Sequence, residues 1–172
     1  PALLLALAGD SIGATDIAVR LGAVLVLVLM NGFMVAAEFA LVAARRSKVE
    51  QMVEEGDRAS EQVLVALSQL DRYISGTQLG ITIASLALGW IGEPALATLV
   101  DRLFVALGVP VAAGTEHFYA SIITAFLIIT FLHIVLGELA PKSLALAAPE
   151  RVSRFVARPL MWFANVMSPF IW

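Results

Sequence analysis

The strongest indication of the fold is the stretch LGAVLVLVLMNGFMVAAEFALVAA, residues 21–44. It is an apolar run that only two polar side chains, Asn31 and Glu38, and two glycines interrupt. A helix needs about 20 such residues to cross the hydrocarbon core of a bilayer. The sequence therefore predicts a membrane-spanning helix here, over approximately residues 18–44.

The composition of the whole chain agrees with a membrane location. Of its 172 residues, 60% are hydrophobic and 15% are charged, and the mean hydropathy is +0.90. A soluble domain carries about 25% charged residues. Because a domain of this size leaves roughly 30% of its unfolded surface exposed, a soluble core has no room for so many apolar groups. We therefore predict an integral membrane protein whose partner is the lipid bilayer.

Charge and cysteine content exclude several other classes. The formal net charge of −3 gives no polybasic signal, so nucleic acid is not an expected partner. The chain has no cysteine, which excludes disulfides and thiolate metal sites. Its histidines, His117 and His133, are isolated, and it contains neither HExxH nor GxSxG. These observations do not favour an enzyme.

Two further apolar runs predict a second and a third span, over approximately residues 78–100 and 118–137. Pro94 lies in the second run and Pro141 lies just beyond the third, so both spans are expected to be broken. Together with the first span, they predict an all-α integral membrane fold. We treat residues 1–172 as a single transmembrane domain.

The segments outside the spans are also patterned for helix. Residues 47–74 are polar with apolar residues at helical spacing, which predicts short cytoplasmic helices. Residues 149–168 carry arginines three and four positions apart, which predicts an amphipathic juxtamembrane helix. The chain begins at Pro1 and stops at Trp172 within an apolar stretch. We therefore expect it to be part of a longer protein.

The basic residues predict the orientation. Nine of the 11 lysines and arginines fall between the first two spans or after the third, and only Arg20 and Arg102 fall on the other side. Lysine and arginine accumulate in cytoplasmic loops. We predict a multi-pass protein of the inner (plasma) membrane, with its N-terminus outside and its C-terminus in the cytoplasm.

Three carboxylates, Glu38, Glu93 and Glu138, lie within or beside the predicted spans. An ionisable residue in a span is costly and is by default a functional candidate. A rise of about 1.5 Å per residue places Asn31 nearer the outside, on a path toward Glu93. The same estimate places four residues at one level in the inner half of the membrane: Glu38, Ser85, Gly137 and Glu138.

The two prolines point to a cation pathway. Proline has no N–H, so Pro141 deprives the Gly137 carbonyl of its helical partner, and Pro94 does the same to Trp90. A freed carbonyl in a bilayer must find another partner, and a cation is one. The nearby carboxylates, hydroxyls and carbonyls are hard ligands that suit Mg²⁺, Ca²⁺ or Na⁺. The residues themselves do not identify the ion.

The carboxylates also have structural interpretations. Glu38 could cap a polar contact between helices, or pair with Arg45 or Lys142 near the inner surface. Glu93 precedes a proline and could be the N-terminal anion of a short outer helix.

Ser85 and His133 have structural interpretations as well. The Ser85 hydroxyl could bond back to the Ile81 carbonyl, as hydroxyls in spans often do. His133 has no second histidine at ligand spacing, which favours packing or a hydrogen bond over metal binding.

Three stretches together resemble the transmembrane domain of the CorC/CNNM family of magnesium transport proteins: NGFMVAAEFALVAARRSKVE (31–50), TQLGITIASLALGWIGEPALA (77–97) and HIVLGELAPKSLAL (133–146). The resemblance covers residues 18–169. It implies a three-span domain that assembles as a homodimer and exports Mg²⁺, proposed to be driven by Na⁺ entry. Family members continue into cytoplasmic CBS motifs that bind ATP, and bacterial ones often into a CorC domain. Neither follows within residues 1–172.

The resemblance also implies a Mg²⁺ site formed by Ser85, Gly137 and Glu138, with a first-span contribution from Glu38 to Ala43. Many relatives carry serine where this chain has Ala43, so only a backbone carbonyl remains there. Candidates for Na⁺ or for the ion path are Asn31, Glu93 and Trp90. The alternatives are a membrane-anchored Mg²⁺ sensor and a structural anchor without ion flux.

Overall fold

A computed structural model describes residues 14–108 and 115–171, and the regular structure in both parts is helical. The elements in chain order are α1 (Ala14–Ala43), α2 (Arg46–Glu54), α3 (Arg58–Ser68), α4 (Leu70–Ala106), α5 (Thr115–Leu132), a π-helical segment (His133–Leu139), α6 (Ala140–Ala147), α7 (Pro149–Val166) and α8 (Ser168–Ile171). The predicted all-α fold is confirmed. Pro1 and Trp172, the first and last residues of the sequence, lie outside the described residues, as does the side chain of His117.

Three helical stretches are long and apolar enough to cross a membrane: Thr15–Ala43, Leu70–Ala106 and Tyr119–Ala147. The third runs from α5 through the π-helical segment to the end of α6. The chain is therefore a membrane protein with three candidate spans, as the apolar runs predicted.

Two details of the spans differ from the prediction. Pro94 lies inside α4, which continues through it, so the predicted break in the second span is wrong. Membrane helices tolerate proline because neighbouring groups satisfy the freed backbone. The third span is interrupted as predicted, but the interruption is a π-helical segment, and the helix continues to Ala147 instead of ending near Gly137.

Helix α1 lies at the centre of the fold. It packs against α4, α6, α7 and the π-helical segment. Its small residues Ala37 and Ala40 are fully buried, which lets the neighbouring backbones approach closely. Toward the N-terminal half of α1, Val24 and Val28 pack with Leu88 of α4 and Ile129 of α5. The three spans therefore meet around one helix.

Helices α2 and α3 form the short connection between the first two spans, as predicted. Gly56 between them has φ +90°, a conformation that favours glycine. Asp57 then caps α3, because its side chain accepts hydrogen bonds from the Ala59 N–H (3.1 Å) and the Ser60 hydroxyl (2.9 Å). The Ser60 hydrogen bond is the main cause that lowers the pKa of the Asp57 carboxyl, and the nearby Arg154 adds to it.

Helix α7 is the predicted amphipathic helix. Its buried face packs against α1, α3 and α4 and consists mainly of small and aliphatic residues: Ser153, Val156, Ala157, Leu160 and Ala164. Its opposite face exposes basic residues together with Phe155 and Trp162.

Candidate functional site

Asn31 lies in the interior of the bundle, where α1 crosses the π-helical segment. It is only 2% exposed. The next residue, Gly32, allows the close approach: a Cβ there would lie 3.0 Å from Pro141 Cγ and 3.1 Å from the Leu136 carbonyl oxygen. The Asn31–Gly32 pair therefore brings a polar side chain against the backbone of the third span.

The Gly137 carbonyl is the group that Asn31 meets. Pro141 has no N–H to give to this carbonyl, as the sequence predicted. The backbone there is π-helical, and the Ala140 N–H bonds to the Val135 carbonyl five residues earlier. The Asn31 side-chain amide nitrogen, Nδ2, donates to the Gly137 carbonyl oxygen at 2.9 Å. Segments of π-helix inside α-helices are frequent at functional sites.

Ser85 and His133 complete this group of polar residues. The Ser85 hydroxyl donates to Asn31 Oδ1 at 3.3 Å and lies 3.4 Å from His133 Nε2. A Cβ on Gly137 would come within 2.8 Å of His133 Cδ2 and 3.2 Å of Asn31 Nδ2. We call Asn31, Ser85, His133 and Gly137 the Asn31 cluster. It joins all three spans through polar contacts.

This geometry corrects the predicted depth of Asn31. The sequence placed Asn31 nearer the outside than Ser85 and Gly137, whereas the structure bonds it to both. The Ser85 hydroxyl contacts Asn31 and His133 across the bundle, and the alternative bond back to the Ile81 carbonyl is not observed. His133 makes a hydrogen-bond contact, in agreement with its structural interpretation. Its part in the cluster was not predicted, although its spacing of four from Gly137 places both on one helix face.

The three carboxylates do not join the Asn31 cluster by any contact within the described residues. Glu38 and Glu93 are half-buried, and Glu138 is exposed although it follows Gly137 directly. Successive helical residues point about 100° apart, which turns Glu138 away from the face that Gly137 presents to α1. The described residues contain no group of three or more histidine, aspartate or glutamate side chains placed to hold a metal ion.

Two structural interpretations of these carboxylates are not observed. Glu38 forms no ion pair with Arg45 or Lys142 in the described part of the chain. The Lys142 ammonium lies instead 4.4 Å from the centre of the Phe39 ring. Arg45 pairs elsewhere, as described below. Glu93 lies within continuous α4, so it does not begin a short outer helix.

Two further predicted positions lie apart from the Asn31 cluster. Ala43 is the last residue of α1 and is half-buried. The Trp90 side chain is 85% exposed on α4. Neither has a contact with the Asn31 cluster among the described residues.

A buried glutamate fixes α7 to the end of the first span. The Glu150 side chain is 9% exposed and accepts from Arg45 Nε at 3.3 Å and Lys48 Nζ at 3.2 Å. Burial alone raises the pKa of Glu150, but its own backbone N–H and the two basic side chains outweigh burial and leave the pKa lowered. The carboxylate is therefore held in its charged form at neutral pH.

Comparison with known proteins identifies similar chains. The family model of the Cyclin M transmembrane N-terminal domain (CNNM) matches residues 22–172. The UPF0053 proteins YhdP and YugS of Bacillus subtilis are 44% and 43% identical over 90% and 88% of this chain. The UPF0053 protein sll0260 of Synechocystis is 31% identical over 92% of it. The matched regions make up 34%, 35% and 35% of these relatives, so the chain spans about a third of their length.

Proposed function

Because this chain belongs to the family of Cyclin M transmembrane N-terminal domains, we propose that it carries Mg²⁺ across the membrane, exporting it in exchange for Na⁺ that enters. The observation that carries the proposal is the Gly137 carbonyl, which Pro141 leaves without a helical donor and which Asn31 holds at 2.9 Å. This backbone oxygen lies among polar side chains from all three spans. A transport ion needs such a place in an otherwise apolar bundle.

The available ligands suit Mg²⁺. The Asn31 amide oxygen, the Ser85 hydroxyl and the Gly137 carbonyl are hard oxygen donors. Glu138 is exposed in this structure and would add a carboxylate only by turning toward the ion. Mg²⁺ sheds its water reluctantly and usually binds through one or two carboxylates while keeping several waters. A site with few carboxylates is therefore sufficient for it. The first span contributes Asn31 to this site. The Glu38 carboxylate and the backbone near Ala43 lie about 10 Å and about 18 Å further along the same helix. They would therefore hold the ion at a separate point of its path.

Asn31 gives the site two arrangements. In this structure its Nδ2 satisfies the Gly137 carbonyl, which a cation would otherwise do. When Mg²⁺ arrives, the amide turns or withdraws, and the carbonyl, Asn31 Oδ1 and Ser85 become ligands. When the ion leaves, Asn31 restores the hydrogen bond. The carbonyl thus has a partner in both states. The ion-free state therefore avoids the free-energy cost of a buried carbonyl without a hydrogen bond.

Na⁺ would couple through the remaining acidic groups. Glu38, Glu93 and Glu138 lie away from the ends of the three spanning helices, and the Trp90 carbonyl precedes Pro94 by four residues. Na⁺ bound at these groups shifts the equilibrium only if it binds one state more tightly than the other. In an exchanger, that state is the one that has released Mg²⁺ to the outside. Assembly as a homodimer also belongs to this proposal.

Ion flux through the purified chain in sealed vesicles tests the proposal. Vesicles loaded with a Mg²⁺-sensitive dye should report Mg²⁺ movement, which an opposing Na⁺ gradient accelerates. Ser85→Ala and Glu138→Gln should each reduce the flux at least about tenfold, which corresponds to about 1.4 kcal/mol of lost ion stabilisation. Ser75→Ala is the matched control, because this exposed serine on the same helix bonds back to Asp71.

The results separate the alternatives. Flux that neither substitution alters would place the ion path elsewhere. Saturable Mg²⁺ binding without flux would identify a membrane-anchored sensor. Absence of both, in a chain that is folded, would identify a structural anchor.

A further inference from the structure

A basic pocket lies between α3 and α7. It has a volume of about 720 Å³, and three of its seven lining residues are arginines, Arg58, Arg154 and Arg158. Phe155 and Pro159 supply its apolar wall. We call this cavity the basic pocket. It adjoins the end of the bundle that carries Arg45 and Lys48.

Most of the positive charge in the basic pocket is not neutralised. Arg154 Nε pairs with Asp57 Oδ2 at 3.0 Å. Arg58 and Arg158 are exposed and have no carboxylate partner within residues 14–108 and 115–171. Two guanidinium groups therefore remain available in one cavity. Arginine favours the planar, bidentate recognition of carboxylate or phosphate.

An apolar groove begins on the other side of Phe155. It has a volume of about 720 Å³ and runs between α1, the π-helical segment, α6 and α7. Its walls are almost wholly apolar, with Leu29, Phe33, Leu136 and Leu144 among them, and Arg151 is its one charged lining residue. Phe155 lines both this groove and the basic pocket. The two cavities are therefore neighbours that one molecule can occupy together.

The exposed face of α7 matches a membrane interface. Arg151, Phe155, Arg158 and Trp162 follow one another at spacings of four, three and four, which places them on one helical stripe. Phe155 is 78% and Trp162 is 70% exposed. Alternation of arginine with exposed aromatic residues is typical of a helix that lies at the level of lipid headgroups.

We propose that the basic pocket and the apolar groove together bind one anionic phospholipid. Its phosphate pairs with Arg58 and Arg158, and an acyl chain passes Phe155 into the groove beside Leu136 and Leu144. The groove opens among spanning helices, where lipid chains are present, whereas a water-soluble anion gains nothing from it. A second copy of the chain is a less suitable occupant of the two cavities. A two-fold dimer through this face would place the lining arginines of both copies in one interface, where like charges repel each other.

Native mass spectrometry of the purified chain tests the proposal. The chain is extracted from mixed vesicles of phosphatidylglycerol and phosphatidylcholine, and retained lipid is counted. We expect one phosphatidylglycerol per chain, retained in preference to phosphatidylcholine. Arg58→Gln and Arg158→Gln should each lower its affinity about fivefold. Arg46→Gln removes the same charge from an exposed residue outside the pocket and should leave the affinity unchanged.

A second pair of variants tests the groove. Leu144→Trp fills it, while Leu146→Trp adds the same side chain two residues away at a position that does not line it. Both leucines are exposed, so both proteins should fold. Only Leu144→Trp should release phosphatidylglycerol.

Four results would overturn the proposal. Equal retention of both lipids would remove the headgroup preference. If Arg46→Gln lowered the affinity for phosphatidylglycerol as much as the pocket variants, general surface charge and not the basic pocket would explain the binding. Displacement of the lipid by inorganic phosphate would show that the groove contributes nothing. A change from dimer to monomer with Leu144→Trp, without loss of lipid, would assign the groove to a second copy of the chain.

Discussion

Asn31 is the residue that links the three spans by hydrogen bonds. Its amide uses both ends: Nδ2 donates to the Gly137 carbonyl and Oδ1 accepts from Ser85. Because a carbonyl can only accept, the contact with Gly137 fixes which end of the amide faces the third span. No aliphatic residue at position 31 can satisfy both partners. Asn31 is thus a structural residue, and the proposed function gives it a second role at the ion site.

Replacement of Asn31 by alanine should therefore destabilise the fold as well as reduce ion flux. The Gly137 carbonyl would be buried without a donor, which costs about 1–3 kcal/mol of unfolding free energy. Chemical unfolding in detergent measures this loss. Asn165→Ala is the control, because Asn165 is exposed and bonds only to the Arg72 side chain within the described residues. An equal loss of stability in both variants would contradict this account.

Gly137→Ala should disturb the same cluster sterically. The new Cβ would lie 2.8 Å from His133 Cδ2 and 3.2 Å from Asn31 Nδ2, so both side chains must shift. Overpacking of this kind costs about 1–3 kcal/mol. A Cβ on Gly89 would meet nothing within 4 Å, so Gly89→Ala should be neutral or stabilise α4 by about 0.5–1 kcal/mol. The thermal unfolding temperature should therefore fall for Gly137→Ala and stay unchanged or rise for Gly89→Ala. Equal shifts would refute the predicted clash.

Among the helices, errors in the predicted ends of the spans explain which contacts the sequence did not predict. The freed Gly137 carbonyl followed from Pro141 alone, because it is a local property of the backbone. Its pairing with Asn31 did not, because depth was counted from span ends that were misplaced. The third span continues to Ala147, ten residues beyond Gly137, or about 15 Å of helix. That error is large enough to separate residues that are in fact in contact.

The contact between α7 and the end of α1 also could not be predicted from the sequence. Glu150 follows Pro149 in an unremarkable first turn, and nothing in its local pattern indicates burial. Only the tertiary fold brings Arg45 and Lys48 to it, from positions 105 and 102 residues away. The amphipathic pattern of α7, in contrast, is local and was predicted correctly.

The Glu150 contacts make the docking of α7 dependent on pH. The pKa of Glu150 is lowered in the folded state, so its stabilisation is complete above the ordinary glutamate value of about 4.3. It is lost as the pH falls through the lowered folded-state pKa. At neutral pH, Glu150→Gln should cost about 1 kcal/mol, since both basic partners are half or more exposed.

Unfolding curves of wild type and Glu150→Gln, collected from neutral pH down to acid, measure this dependence. The difference between the two proteins should shrink toward zero below the folded-state pKa. Glu50→Gln breaks only an exposed pair with Arg46 one helical turn away and should cost about 0.5 kcal/mol or less. A Glu150→Gln difference that stays constant with pH would show that the charge of Glu150 is not its source.

The length of α4 constrains how the whole chain is placed in a membrane. Its 37 residues would extend about 55 Å, well beyond the roughly 30 Å of a hydrocarbon core. The two ends of α4 must therefore lie on opposite sides of a membrane that it crosses. Basic residues accumulate at the end that joins α3, so the positive-inside rule predicts that this end lies in the cytoplasm.

Cysteine labelling of intact cells tests this orientation, and the natural absence of cysteine makes each introduced thiol unique. Glu55 and Leu107 are both exposed and lie beyond opposite ends of α4. A membrane-impermeant maleimide should label Leu107→Cys directly, and Glu55→Cys only after the membrane is permeabilised. Ala84→Cys, at a fully buried position in α4, should resist labelling under both conditions. The reverse labelling pattern would show that the chain has the opposite orientation in the membrane. Labelling of both exposed positions from one side would show that α4 does not span the membrane.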